Sequence, residues 1–250
     1  MPVIAFASTK GGSAKTTTAI LLATAFAADG LNVALLDADP DAKAGEWYQV
    51  WAPATGYNGE LAVDPKTEIL LDAYSHRGIT YQPSVHEDNV HDLVDQYSET
   101  HDIVLIDLQG SANMTMAMAV GAADLVIIPV MPSRFDLKAM LRTVKTVRLS
   151  GRNARREIPH WILMSNTSTT IHKTKVDRHT RQEAEKLGLY LFDVELGHRV
   201  AFSRMTHDGL PPAPDKDAAA AENVGALVRE VALVLQGQHH KQRPLAAVNG

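Results

Sequence analysis

The sequence predicts an α/β protein with a doubly wound, mostly parallel sheet and helices on both faces. Short apolar runs of strand length alternate with longer segments of helical character along most of the chain, which is typical of parallel strands joined by helices. Aspartates and a glycine-containing loop follow several of these runs, and the carboxyl ends of strands are where an open α/β sheet binds ligands. The clearest strand–loop–helix unit is the first, residues 3–28.

This first unit has the features of a phosphate-binding loop. A buried strand is predicted at residues 3–8 and a helix at residues 16–28. The glycines between them permit a tight turn, and the helix start adds free N–H donors for an anion. Lys15 can reach terminal phosphates, and the Thr16 hydroxyl can bind Mg²⁺. The residues expected to contact a nucleotide here are Gly11, Gly12, Ser13, Ala14, Lys15, Thr16 and Thr17.

The loop departs from the usual pattern G-x-x-x-x-G-K-[ST], because Thr9 and Ala14 occupy its two glycine positions. The sequence of this loop is instead K-G-G-x-x-K-T, with a second lysine, Lys10, at its start. This pattern resembles the deviant Walker A loop of the ParA/MinD family of P-loop ATPases. The resemblance implies a P-loop NTPase fold, ATP or ADP and Mg²⁺ as cofactors, and ATP hydrolysis with weak intrinsic activity. It also implies that Lys10 acts in catalysis with Lys15 by crossing a dimer interface to the partner's nucleotide.

Two further strands end in aspartates. A strand predicted at residues 32–36 precedes Asp37 and Asp39, two carboxylates that could hold Mg²⁺ and orient an attacking water. By the family resemblance, Asp39 activates the water and Asp37 supports the metal, although Asp41 replaces the usual glutamine of the D-x-D-P-Q pattern. A strand at residues 102–107 resembles Walker B and would bring Asp107 near the metal.

Four other residues are assigned to the nucleotide. Gly110, in Asp-Leu-Gln-Gly, could present its N–H to the γ-phosphate. By resemblance, Asn166, at the end of a strand predicted at residues 161–165, contacts adenine, and Pro211 and Pro212 border it. The alternative interpretation of Asn166 is an ordinary asparagine in a turn, and the alternative for the two prolines is a surface turn.

The remaining elements are predicted from hydrophobic periodicity. Further strands are expected at residues 60–63, 79–82, 124–129 and 189–194. Further helices are expected at residues 42–52, 66–75, 86–97, 113–122, 136–149, 199–207 and 217–235.

A basic cluster without any acidic residue among its cations occurs in the second half of the chain. It consists of Arg142, Lys145, Arg148, Arg152, Arg155 and Arg156. Residues 145, 148 and 152 share one helical face by their spacing. A solvated face is the ordinary interpretation, but by the resemblance to ParA proteins we predict non-specific DNA binding through phosphate contacts. A second cluster, Lys173, Lys175, Arg178 and Arg181, is diluted by acidic neighbours and could assist.

Composition limits the possible classes. The chain has 250 residues, of which 45% are hydrophobic and 21% charged, which predicts one domain over residues 1–236 and a flexible tail over 237–250. The absence of cysteine excludes disulfides, thiolate metal sites and cysteine nucleophiles, and it argues against an iron–sulfur cluster. The net charge of −5 confines any DNA binding to a local patch. We find no apolar run of membrane-spanning length and no signal peptide, so we expect a cytoplasmic protein, nucleoid-associated or polar, without membrane binding.

These features predict a ParA-type ATPase that dimerises with ATP, binds DNA and an adaptor or cargo protein that stimulates hydrolysis, and segregates or positions plasmid or chromosomal DNA. One alternative is a ParA-like factor of conjugative T-DNA transfer that recruits a DNA-processing complex to the cell pole. A MinD-like positioning ATPase and a metabolic P-loop enzyme are the others.

Overall fold

The computed structural model describes residues 1–170 and 173–238, and in these residues the chain forms a nine-stranded sheet with helices on both faces. The strands are β1 (Val3–Phe6), β2 (Val33–Ala38), β3 (Tyr74–His76), β4 (Ile79–Gln82), β5 (Ile103–Leu108), β6 (Leu125–Val130), β7 (His160–Thr167), β8 (Tyr190–Leu191) and β9 (Leu196–Gly197). The helices are α1 (Lys15–Ala28), α2 (Lys43–Ala54), α3 (Val90–Thr100), α4 (Met114–Ala122), α5 (Arg134–Asn153), α6 (Lys175–Lys186), α7 (Val200–Asp208) and α8 (Ala218–Leu235).

The sheet confirms the predicted fold class. Its strand order is β3-β4-β2-β5-β1-β6-β7-β8, with β9 paired to β7, and every pairing is parallel except that of β3 with β4. Asp107 of β5 is in register with Phe6 of β1 on one side and with Asp37 of β2 on the other. The carboxyl ends of these three strands therefore meet at one edge, directly before the loop that enters α1.

Two hydrophobic cores enclose the sheet. The helices α1, α2, α7 and α8 pack on one face, and α3, α4, α5 and α6 pack on the other. Strands β1, β2, β5 and β6 are buried at every position, as expected for parallel strands that are covered on both sides. This rigid centre carries the phosphate loop and the aspartates of β2 and β5.

Most element boundaries differ from the predictions by a few residues. Asp37 lies within β2 rather than after it, and Asn166 lies within β7 with a φ of 53°. Helix α5 begins two residues earlier than predicted because the Ser133 side chain accepts a hydrogen bond from the N–H of Asp136, which caps the helix.

The segment at residues 60–76 is where the prediction was wrong. No helix forms over residues 66–75, and the predicted strand at residues 60–63 is reduced to one bridge between Val63 and Leu70. The Asp64 side chain accepts hydrogen bonds from the N–H groups of Lys66 and Thr67, at 2.8 and 3.0 Å. These local bonds stabilise a turn in place of the first helical turn. The chain then continues into β3, the antiparallel edge strand.

Helix α6 was missed by the sequence analysis, although its start carries a signal. Thr174 and Asp177 form a reciprocal capping box, in which each side chain bonds the other residue's backbone N–H. The strand predicted at residues 189–194 is limited to β8. The predicted flexible tail lies almost wholly outside the described residues, which end at 238. Within the described part of the chain, none of the helices combines the length and apolar character needed to cross a membrane.

Candidate nucleotide-binding site

The loop between β1 and α1 has the backbone of an anion cradle. Gly12 and Ala14 both adopt left-handed conformations, with φ of 71° and 73°. Alanine in this region costs about 1 kcal/mol relative to glycine, so Ala14 keeps the turn with a small penalty. Ala14 directly precedes α1 and its side chain forms no capping hydrogen bond, so the first N–H groups of the helix are available to a bound anion.

A cavity of about 400 Å³ opens over this loop. It is lined by the whole predicted phosphate loop and by residues that follow β2 and β5. The lining residues are Gly11, Gly12, Ser13, Ala14, Lys15, Thr16, Thr17, Asp39, Asp41, Lys43, Gln109, Gly110, Ser111 and Met131. The structure therefore brings together residues that are up to 120 positions apart in the chain, as the predicted parallel sheet requires. We call this the phosphate-side cavity.

Lys15 is held in this cavity at the start of α1. Burial lowers the pKa of its ammonium, while the charges of Asp107 and Asp39 raise it and that of Lys43 lowers it further. A buried cation between carboxylates and a second lysine can bind the charge of a phosphate without first being stripped of much water. This is the arrangement expected of the lysine in a phosphate-binding loop.

Asp107 is fully buried, and within the described residues neither carboxylate oxygen has a hydrogen-bond partner of good geometry. Burial, and then the charge of Asp37, raise the pKa of Asp107, whereas the Thr16 hydroxyl and the Lys15 ammonium act to lower it. A buried carboxylate without partners is costly unless a cation compensates it. Oxygen ligands of this kind suit Mg²⁺, so Asp107 and the Thr16 hydroxyl fit the predicted metal position.

Asp37 has a different environment from Asp107. Its carboxylate accepts hydrogen bonds from the N–H groups of Asp39 and Gly45 and from the Tyr81 hydroxyl, at 3.0 to 3.2 Å. These bonds use three of the roughly four acceptor positions of a carboxylate. Burial raises the pKa of Asp37 to about 6, and the three hydrogen bonds oppose that shift. Asp37 therefore mainly fastens the turn between β2 and α2, and few acceptor positions are left on it for the metal that the sequence analysis assigned to it.

That turn leaves Asp39 half-buried, facing the phosphate-side cavity. Its carboxylate accepts the N–H of Asp41 at 3.1 Å, which fixes its orientation. Opposite, Gly110 approaches the phosphate loop so closely that a Cβ atom there would lie 2.6 Å from the backbone nitrogen of Gly11. The position requires glycine for that reason, and it brings the loop after β5 into contact with the phosphate loop.

A second cavity of about 380 Å³ adjoins the first and shares Ala14, Thr17 and Met131 with it. We call it the base-side cavity. Its other lining residues are Ser165, Asn166, Leu196, Gly197, His198, Arg199, Phe202, Ser203, Thr206 and His207. Asn166, which the sequence analysis assigned to adenine, lies here, and its Oδ1 is 2.6 Å from Nδ1 of His198. The sequence analysis missed His198, because only β7 and β9 together bring the two side chains into contact.

Pro211 does not line either of these cavities. It lines a third cavity of about 720 Å³, together with Thr24, Ala27 and Ala28 from the last turns of α1. Thr24 is nine residues beyond Lys15, a distance of about 13 Å along a helix. The structure thus separates Pro211 from the phosphate loop, and Pro212 is absent from the described lining of both nucleotide cavities. The adenine role expected for these two prolines is not supported by their position.

Lys10 is fixed within its own chain. Its Nζ forms an ion pair with Oδ2 of Asp136 at 2.9 Å, and the carboxylate is buried whereas the lysine side chain is 39% exposed. The adjacent Thr9 bonds α5 twice, through its N–H to Oγ1 of Thr143 and through its hydroxyl to the carbonyl of Ala139. The head of the phosphate loop is therefore attached to α5.

Five of the six residues in the predicted DNA-binding cluster are exposed and have no ionic or hydrogen-bonded side-chain partner among the described residues. They are Arg142, Lys145, Arg148, Arg152 and Arg155. Arg156 differs, since its guanidinium donates to the carbonyls of Gly121 and Ala123 at 2.7 and 2.6 Å and so caps the end of α4. The exposed Arg134 and Lys138 extend the basic face toward the start of α5, and the sequence analysis missed both.

Two of the four cations in the second basic cluster are neutralised by ion pairs. Lys173 and Arg181 both form ion pairs with Glu195, at 2.8 and 3.1 Å, and Arg181 also pairs with Glu185 and Asp193. Arg178 donates to the carbonyl of Lys173. The bonds of Arg181 hold α6 against the β8–β9 segment. Arg178 keeps its charge, and Lys175 is exposed without an ion pair among the described residues, so two cations of this cluster remain available to assist.

A parallel sheet with a phosphate loop at its centre, an extra lysine at the head of that loop and, beside it, a buried Asp107 with no partner among the described residues define a P-loop ATPase of the ParA/MinD class. The family model described as "ATPase MipZ" matches residues 2–233. The chain therefore belongs to the MipZ family of ATPases.

Individual relatives agree with this assignment. Protein ParA of Rhizobium radiobacter is 27% identical over 92% of this chain and 96% of its own length. The chromosome partitioning protein ParA of Caulobacter vibrioides is 27% identical over 88% of this chain and 97% of its own. The structure of a Cyanothece McdA(D38A)–ATP complex has the same fold, with a TM-score of 0.74 and 15% identity over 93% of this chain and 96% of that one.

Proposed function

We propose that this protein is an ATP-driven switch that dimerises with ATP, binds DNA without sequence preference and positions a cargo, and that hydrolysis resets it to monomers. The main support is the continuous pair of cavities along the carboxyl edge of the sheet. One has the donors and charges for a Mg²⁺-bound triphosphate, and the other has an asparagine and an apolar wall for the base.

The phosphate loop would hold the β- and γ-phosphates through its N–H groups and Lys15. Asp107 and the hydroxyl of Thr16 would hold Mg²⁺, directly or through water. The metal neutralises phosphate charge and orients the terminal phosphate when it is bound. Asn166 and His198 would orient the base.

Asp39 would position the attacking water. It reaches the cavity from the strand next to β5, and its orientation is set by hydrogen bonds along the turn. A carboxylate in this place can accept a proton or orient the water in line with the terminal phosphate. The N–H of Gly110 would contact the γ-phosphate, so that the loop after β5, to which Gly110 belongs, would respond to the presence of ATP.

Dimerisation is supported by the surface around the phosphate-side cavity. Phe135 is 74% exposed and Met114 is 63% exposed, and they begin the helices that follow β6 and β5 at the same edge of the sheet. Exposed large apolar side chains beside a ligand site are typical of an interface. The phosphates of a nucleotide bound in the same subunit would already contact Lys15. Lys10 would therefore leave Asp136 and contact the nucleotide bound to the partner subunit.

DNA binding is proposed for the outer face of α5. Its unpaired cations span the helix from Arg134 to Arg152, about 27 Å, which is enough to follow several phosphates. A dimer would present two such faces and bind DNA more tightly by bivalency. Two relatives have related roles in their names: a chromosome partitioning protein and a protein for maintenance of carboxysome distribution. Both names describe the placement of a cellular component, which supports a positioning role for this chain.

The enzymatic proposal is tested with Asp39→Ala. We expect ATP affinity within about twofold of the parent and hydrolysis slower by roughly a hundredfold, because the water-positioning carboxylate is lost. The measurements are calorimetric titration with ATP and phosphate release at saturating ATP, with Asp72→Ala, an exposed aspartate outside the site, as the control. Hydrolysis at the parental rate would remove Asp39 from this role.

The DNA proposal is tested with the double variant Arg148→Glu and Arg152→Glu. The parent should shift unrelated DNA duplexes with ATP and much less with ADP, and the double variant should lose the shift while still binding ATP. Lys66→Glu with Arg77→Glu reverses two exposed charges elsewhere and serves as the matched control. Equal loss in both double variants would indicate an effect of net charge alone, and no shift by the parent would reject DNA binding.

A further inference from the structure

We propose that Lys43 is a further phosphate-binding residue, which contacts the terminal phosphate from within the same chain and makes the site prefer ATP to ADP. The inference rests on the proposed nucleotide binding. Neither the phosphate-loop pattern nor the aspartate pattern includes this lysine.

The placement of Lys43 is unusual for a surface lysine. It is the first residue of α2, and the preceding Ala42 adopts a left-handed conformation with a φ of 46°, which turns the chain sharply after β2. The turn is fastened by Asp37 through the N–H groups of Asp39 and Gly45. The result is that Lys43 lines the phosphate-side cavity together with Lys15 and Asp39.

The two cavities fix the direction in which a nucleotide must lie. The base-side cavity is built from β7, β9 and α7, and the phosphate-side cavity extends from the phosphate loop toward the ends of β2 and β5. In the sheet, β7 and β2 lie on opposite sides of β1. A nucleotide whose base occupies the first cavity therefore extends its terminal phosphate toward β2, where α2 and Lys43 begin.

In this structure Lys43 forms only a weak ion pair, with Asp41. Its Nζ is 3.5 Å from Oδ2 of Asp41, and the side chains are 58% and 71% exposed. An ion pair between exposed groups at this separation contributes little, and Asp41 would remain hydrated if it were left alone. A bond from an ammonium to a phosphate oxygen is charge-assisted and stronger. Lys43 can therefore exchange Asp41 for the γ-phosphate at small cost.

The two lysines of the phosphate loop are held elsewhere, so neither occupies the position of Lys43. Lys15 is buried against the loop, and Lys10 is paired with Asp136. The charge of Lys43 lowers the pKa of Lys15, which means that the two ammonium groups are close enough to repel each other across the phosphate-side cavity. Two neighbouring cations repel each other until an anion binds between them, which favours the more highly charged triphosphate.

The test is calorimetric titration of the full chain with the non-hydrolysable analogue AMPPNP and with ADP, both with Mg²⁺. Lys43→Met keeps the length of the side chain and removes the charge, and Lys66→Met is the matched control at an exposed lysine outside the site. We expect Lys43→Met to lose about tenfold in AMPPNP affinity and less than twofold in ADP affinity, while Lys66→Met changes neither. Lys43→Arg should restore the preference for AMPPNP to within about threefold.

Each other outcome has a distinct meaning. Equal affinities of parent and Lys43→Met for AMPPNP, or equal losses for both nucleotides, would overturn the role of Lys43 and leave nucleotide binding intact. A parent that binds neither nucleotide would overturn the proposed function and this inference with it. Asp41→Asn should keep or raise AMPPNP affinity, and a tenfold loss would show that Lys43 does not leave Asp41.

Discussion

The carboxyl edge of the sheet and the outer face of α5 both carry several charged side chains, but their environments are opposite. At the sheet edge, Lys15, Asp37 and Asp107 are buried; Asp37 raises the pKa of Asp107, Lys15 lowers it, and Asp107 raises the pKa of Lys15. On α5, Arg142, Lys145 and Arg148 are exposed and have no described side-chain partners. Buried charges depend on one another and on exact backbone positions, whereas exposed charges act almost independently and are screened by salt. Single changes should therefore have large effects at the first region and small, additive effects at the second.

The largest effect is expected for Lys15→Ala. The substitution removes a buried cation that would face the phosphates, and such losses cost about 3 kcal/mol or more, or at least roughly a hundredfold in affinity. ATP and ADP titrations by calorimetry measure it, with Lys66→Ala as the control. Retained micromolar affinity would reject the phosphate-loop assignment and, with it, the contrast between the two regions.

Gly110→Ala should come next, although it changes no charge. The new Cβ would lie 2.6 to 2.8 Å from backbone atoms of Lys10 and Gly11, so the phosphate loop must shift. Overpacking of this kind costs about 1 to 3 kcal/mol, and we expect about a tenfold loss of ATP affinity. Gly121→Ala is the matched control, because a Cβ at Gly121 has free space. Parental affinity in Gly110→Ala would mean that the loop adapts freely.

Lys10 connects the two regions, since its partner Asp136 belongs to α5. Lys10→Ala should still bind ADP but should not dimerise with AMPPNP, as judged by light scattering. Asp136→Asn, which frees the lysine, should raise the AMPPNP-dependent dimer fraction, equivalent to about a fivefold gain in affinity, as expected for a partly exposed ion pair. Unchanged dimer mass in Lys10→Ala would reject the contact across subunits, and a weaker dimer in Asp136→Asn would show that the ion pair belongs to the dimeric form.

The smallest effect is expected for Arg148→Gln alone. Losing one phosphate contact should weaken DNA binding by about two- to fivefold and reduce the slope of log affinity against log salt by about 0.9. Arg156→Gln should leave DNA affinity unchanged and instead lower the thermal midpoint by about 2 to 4 °C, because the cap on α4 is lost. Shift assays at two salt concentrations and thermal melting distinguish these outcomes. A salt slope that falls in Arg156→Gln as well would place Arg156 in the DNA-binding face.

The failed prediction at residues 66–75 shows why local patterns can mislead. Apolar spacing there is compatible with a helix, but Asp64 competes for the first N–H groups and stabilises a turn. The missed helix α6 is the converse case, since Thr174 and Asp177 form a local cap that a search for capping boxes would have found. Both outcomes depended on side-chain bonds to the backbone within a few residues.

The sequence alone determined the fold class, the phosphate loop and the three aspartates at the sheet edge. These features are local: each depends on an apolar strand and on the few residues that follow it, and parallel strands necessarily bring those ends together. The tertiary structure decided which charges are free. Lys10 meets Asp136, which is 126 positions away, Arg156 meets the end of α4, and Pro211 lies beside the far end of α1. A charge is available to a ligand only if no other part of the chain neutralises it, and that depends on contacts between elements that sequence spacing does not encode.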